Sequence, residues 1–108
     1  MGLSRENDLT NEKLNNALYE KMHAEQEQYR QELLGGSPKA VLRNAYEYTV
    51  REDILLSMEY NSLSDSQAET MLRSSHPLAD VFQRWEKKET EYMEDIWRTV
   101  EECANGEF

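Results

Sequence analysis

Proline interrupts this chain at only two places, Pro38 and Pro77, and on either side of those stops the apolar residues recur at helical spacing. No stretch alternates apolar and polar residues as a half-buried strand would, so the pattern admits a set of helices and disfavours a sheet. Gly35-Gly36-Ser37-Pro38 closes one helix and opens the next. Ser37 is placed as N-cap and Pro38 at the first helical position, where its missing amide had no partner to lose. Ser74-Ser75-His76-Pro77 repeats the device further along. A third start lies at Ser64, with Gln67 spaced to complete a capping box.

Between these stops the apolar stripes assign each helix. Helix 1 is expected from near Asn11, capped by Thr10 and stapled by Leu9 and Leu14, with Leu14, Leu18, Met22, Tyr29 and Leu33 along one face. Residues 1–9 are polar and unpatterned, which predicts a flexible N-terminal arm ahead of a single helical domain over residues 10–108. Helix 2 should reach Tyr60. Thr49-Val50-Arg51-Glu52 is a second capping-box pattern, so both a continuous helix and a break near Thr49 are open. Its broad band of Val41, Leu42, Ala45, Tyr46, Val50, Ile54, Leu55 and Met58 marks it as the most buried, central helix.

A short helix should then run to about Arg73. A last helix of about 26 residues carries Leu78, Val81, Phe82, Trp85, Tyr92, Ile96, Val100 and Cys103 and ends at Asn105-Gly106. The expected fold class is all-α, a small helical bundle of four to five helices with long first and last helices.

Chemistry-bearing patterns are sparse. Glu20 and His23 have the i, i+3 spacing of helical di-iron ligands, with Glu27 a turn beyond, but His76 lies in a turn and supplies no second motif. Cys103 is the only cysteine, which excludes an intrachain disulfide and a multi-cysteine zinc framework. With no histidine nearby in sequence to activate it, it reads as a packed or half-exposed structural thiol. Gly35-Gly36 follows a helix rather than a strand, so it is no phosphate loop. A protein without enzymatic activity, metal or cofactor is expected. The lone cysteine, and the lack of a signal-peptide pattern or membrane-length apolar run, predict a cytoplasmic location.

Charge says more about partners. Twenty-two acidic residues against 12 basic give a formal charge of −10, which favours a basic protein surface over nucleic acid or membrane. The basic residues are scattered and form no phosphate-binding stripe, so direct nucleic-acid binding is not expected. The acid concentrates near the C-terminus, where Glu91, Glu94, Asp95, Glu101 and Glu102 are the leading candidates for a partner-binding surface. Glu25, Glu27 and Glu32 on helix 1 offer a second face. Helix-borne carboxylates about 5 to 6 Å apart approximate the charge ladder of a nucleic-acid backbone.

Residues 11–30 (NEKLNNALYEKMHAEQEQYR), 45–64 (AYEYTVREDILLSMEYNSLS) and 76–82 (HPLADVF) together resemble a family of short helical proteins of unassigned function. That family is encoded in gut bacteria, often on phage or other mobile DNA. The resemblance implies no catalytic residues. Small acidic proteins from such DNA often inhibit host defence, as anti-CRISPR and anti-restriction proteins do. The expected function is therefore inhibition of a CRISPR nuclease or other DNA-processing enzyme by occupying its basic nucleic-acid-binding surface. The alternative is a structural or regulatory interaction module that self-associates through an apolar helix face, as a homodimer.

Overall fold

The computed structural model describes the backbone of residues 2–107 and, within it, the side chains of all but residues 2–9, 89 and 90. Five helices follow in chain order: α1 (Gly2–Leu34), α2 (Pro38–Tyr60), α3 (Asp65–Leu72), α4 (Pro77–Lys87) and α5 (Glu89–Ala104). No strand occurs among the described residues, so the chain is an all-α bundle.

Most boundaries follow the cap chemistry. The Ser37 hydroxyl accepts the amide of Ala40, and Pro38 opens α2. Ser64 and Gln67 form both halves of the capping box on α3. Pro77 opens α4. α2 runs unbroken through Thr49, whose hydroxyl donates to the Ala45 carbonyl one turn back instead of capping a new helix. At the other end α1 begins at Gly2, so Thr10 lies inside the helix and is not its cap. Of the arm expected over residues 1–9, the backbone from Gly2 on is helical; its side chains lie outside the described residues.

The single long last helix is divided. Lys88 is a turn residue between α4 and α5, and its amide bonds the Trp85 carbonyl three residues back at 2.9 Å. The apolar stripe lapses at this point. Between Trp85 and Tyr92, positions 86–91 are all polar, so the apolar stripe of α4 is not carried on in sequence into α5.

α1, not α2, is the central helix. It packs against α2, α3 and α4. The core joins Leu18 and Met22 of α1 to Leu55 of α2 and Leu78 of α4, with Tyr19, Ile54, Met58, Leu63, Met71, Leu72 and Val81 around them. α2 buries only Arg51 and Leu55, and leaves Leu42 79% and Leu56 49% exposed, because no helix lies over its outer face. The radius of gyration is 18.8 Å, against about 13 Å for a compact chain of this length, so part of the molecule projects from the bundle.

Polar side chains of α1 tie down the connections. Asn15 accepts the Leu63 amide at 2.9 Å and donates to its carbonyl at 3.0 Å, and Asn11 adds a bond to the same carbonyl. The α2–α3 loop is thus paired to α1 as a strand would be. Lys21 and Glu25 do comparable work at the turn between α3 and α4, described below.

Candidate functional site

α5 is amphipathic, and none of its described side chains is buried. At 100° per residue, Glu91, Glu94, Asp95, Glu101 and Glu102 fall on one side, and Tyr92, Met93, Ile96, Trp97 and Val100 on the other. All ten are exposed, Tyr92 and Trp97 to 61% each. The helix ends in a Schellman arrangement: Gly106, at φ +85°, donates to the Cys103 carbonyl, and the Glu107 amide donates to that of Glu102. At its start Lys88 supplies no side-chain cap.

Two features of the acid face work against the helix that carries it. Glu91 and Asp95 are like charges at i, i+4, and Glu101 and Glu102 sit at the negative end of the helix dipole with no basic residue in the last turn. Each costs a few tenths of a kcal/mol to about 1 kcal/mol. Among the described side chains of α5 one ion pair forms, Asp95 with Arg98 at 3.3 Å, and with both side chains 68% exposed it offsets little of this.

The three acids of α1 do not form one surface. Glu27 is exposed and engaged with Arg30 at 3.3 Å and with Gln31, while Glu32 is exposed. Glu25 turns inward, a correction to its assignment as a partner-binding acid. Its two oxygens accept the amides of Leu78 at 2.9 Å and Ala79 at 2.8 Å, and Arg51 lies 4.0 Å away. α4 has no capping side chain of its own at His76, so Glu25 caps it from another helix.

Arg51 anchors a polar layer that sequence reading missed. It is 7% exposed, bonds Glu47 at 2.7 Å and lies 4.2 Å from the centroid of the Tyr29 ring. Beside it Gln26 donates to the Tyr48 carbonyl and to Glu52. Gln26 Oε1, Tyr29 Oη and Arg51 Nε are buried without a hydrogen-bond partner. Burial, with Glu47 close by, raises the Tyr29 pKa above the usual tyrosine value. Tyr19 is raised by its hydrogen bond to Glu59, and Tyr48 by burial. Gln26 occupies the stripe position between Met22 and Tyr29, which was the one available signal for this layer.

An open groove of about 510 Å³ separates α2 from α5. Tyr46, Val50 and Ile54 line one wall, Trp85 and Tyr92 the other. Trp85 Nε1 donates to the Tyr46 hydroxyl at 3.3 Å, and the Tyr46 ring meets Phe82 edge-on, so the floor is fixed.

No group of three or more histidine, cysteine or acidic side chains among the described residues is placed to hold a metal ion. His23 lies beside the Tyr19 ring instead. Cys103 is exposed, not packed, as are the other described side chains of α5. No helix among the described residues is long and apolar enough to cross a membrane.

A family profile described as protein of unknown function, DUF3848, matches residues 14–107. The chain belongs to this family. The DUF3848 match takes in α2 to α5 whole and α1 from Leu14, so the groove and both faces of α5 lie inside the family's extent. No curated protein and no solved structure matches the chain.

Proposed function

We propose that this protein is a non-enzymatic inhibitor that binds a basic surface of a nucleic-acid-processing enzyme, of the anti-CRISPR or anti-restriction type, through the acidic face of α5. The observation that carries this reading is the segregation of Glu91, Glu94, Asp95, Glu101 and Glu102 onto one exposed side of a projecting helix. Their placement opposes helix stability, and local conflicts of this kind concentrate where a surface serves function. A basic groove would relieve it, since cations beside Glu101 and Glu102 supply what the last turn lacks. The partner is a protein in the cell interior, drawn in by long-range attraction to a chain of charge −10. The mobile-DNA setting suggested by the sequence belongs to the same proposal.

Occupation of a nucleic-acid site makes protein and DNA mutually exclusive. Fluorescence anisotropy of labelled duplex on RNA-guided and restriction nucleases tests this directly. Displacement by the protein, weakening as salt rises, is the expected result. Duplex that stays bound to every enzyme at saturating protein would refute the reading.

A further inference from the structure

The chain exposes more surface than its mass calls for. A compact monomer of 12.7 kDa presents about 6,200 Å² of accessible surface, and this chain presents 8469 Å². The excess, about 2,200 Å², is of the size that one subunit of an obligate dimer gives to its interface, about 1,000–2,500 Å². Its apolar part is localised. Among the described residues every large hydrophobic side chain left exposed, Leu34 apart, lies on α2, at Trp85 or on α5.

Within α5 the apolar residues keep a seven-residue rhythm. Met93, Ile96, Val100 and Cys103 recur at steps of three and four, the seam along which two helices pack as a coiled coil. The positions flanking that seam hold Tyr92, Trp97, Thr99 and Ala104, and none of these is charged. Glu91, Glu94, Asp95, Glu101 and Glu102, with Arg98, all fall at the outward positions. A second copy can therefore meet the seam without setting carboxylate against carboxylate. From Tyr92 round to Trp97 the face spans about 140° at about 100° per residue, enough to meet two neighbours instead of one.

The α2 wall of the groove supplies the second neighbour. The groove is lined by one acid, Asp53, and one base, Lys88, so it suits an uncharged face such as this seam. Sense follows from the helix ends. α5 starts beside Lys88 and closes on Glu101 and Glu102 with no basic residue in its last turn. A parallel pair would stack those acids together, whereas the antiparallel sense sets each acidic end against the positive helix end and Lys88 of the other copy. Alone, a 16-residue helix with no buried described side chain is marginal in water. We infer that α5 pairs antiparallel with α5 of a second copy about a two-fold axis, each helix covering the other's seam and the α2 wall at Tyr46, Val50 and Ile54. Both acidic faces stay outward in that dimer, so it does not depend on the proposed nuclease binding.

Sedimentation equilibrium of the full chain from about 1 to 200 μM reads the association. A dissociation constant of about 10 μM or tighter is expected. Because each copy carries a formal −10, dimerisation should tighten as salt rises, opposite to the binding of a basic partner. Ile96→Ser/Val100→Ser strips the seam at constant charge and should weaken the dimer about tenfold or more. Glu94→Lys/Asp95→Lys, at outward positions, should not weaken it. Ile96 and Val100 are exposed in the single chain, so the serine variant should keep the wild-type urea midpoint at about 1 μM, which separates a lost seam from a folding defect. Protection of α5 amides should rise with protein concentration through the same range. Mild oxidation of the Met93→Cys variant reads the register. An antiparallel seam sets position 93 against Cys103 of the other copy, so covalent dimers should form in the variant and not in wild type.

A chain that stays monomeric at about 200 μM in about 0.5 M salt, or a dimer indifferent to Ile96→Ser/Val100→Ser, would overturn the inference. Covalent dimers formed as readily by wild type would overturn its antiparallel sense.

Discussion

Lys21 and Glu25, one turn apart on α1, hold the facing ends of two other helices. Lys21 Nζ donates to the carbonyls of Leu72 at 2.9 Å and Ser74 at 2.6 Å, at the end of α3. Glu25 accepts the first free amides of α4 at Leu78 and Ala79. A cation thus meets the negative end of one helix dipole and a carboxylate the positive end of the next, which fixes the turn between them on α1.

Removing Glu25 should therefore cost more than an ordinary surface substitution. Glu25→Ala leaves two amides without an acceptor and takes one of two neighbouring carboxylates from the buried Arg51, an expected loss of about 2–3 kcal/mol. Glu25→Gln keeps one acceptor oxygen and should lose about half as much. Lys21→Met preserves the apolar stem and should cost about 1 kcal/mol. Urea denaturation midpoints at constant slope measure all three.

The tyrosines set the alkaline limit. Tyr19, Tyr29 and Tyr48 have folded pKa values raised above the ordinary value, so their contribution is complete below about pH 10 and is lost as pH climbs through the raised values. Tyr29→Phe keeps the ring under Arg51 and removes a buried hydroxyl with no partner. It should be within about 1 kcal/mol of wild type at neutral pH, or better, and should move the alkaline unfolding midpoint upward. Helical circular dichroism followed from about pH 9 to 12 reads both.

α5 should open far more easily than the bundle. Amide exchange is expected to be fast throughout Glu89–Ala104 and slowest around Leu18 and Met22, whose side chains are fully buried. Gly106→Ala places a side chain at φ +85° with nothing nearby to clash, so its cost is backbone strain alone, about 1 kcal/mol. That cost should appear as faster exchange in the last turn of α5 with an unchanged global midpoint. A shifted midpoint would mean that α5 is coupled to the core.

The sequence was most legible where one residue type satisfies one backbone need. Ser37, Pro38, Ser64, Gln67, Pro77 and Gly106 each mark a helix end that their chemistry dictates locally. The stripe through Leu18 and Met22 likewise found its core. Glu25 and Arg51 were not legible, because a charged residue on a helix reads as solvated until a second helix is laid against it. The turn at Lys88 left only a negative sign, the six polar residues that interrupt the stripe. The five acids of α5 share one exposed face, a grouping their spacing already carried, whereas Glu25 was drawn into the fold by α4.

The most direct test of the acidic face is DNA cleavage by RNA-guided and restriction nucleases, with wild-type protein and with the Glu94→Lys/Asp95→Lys/Glu101→Lys variant at low and high salt. Wild type should inhibit at least one enzyme, most strongly at low salt, and the variant should lose that inhibition while keeping the wild-type urea midpoint. Inhibition that survives the reversal, or none by wild type at any salt, would contradict the assignment of α5 as an inhibitory acidic surface.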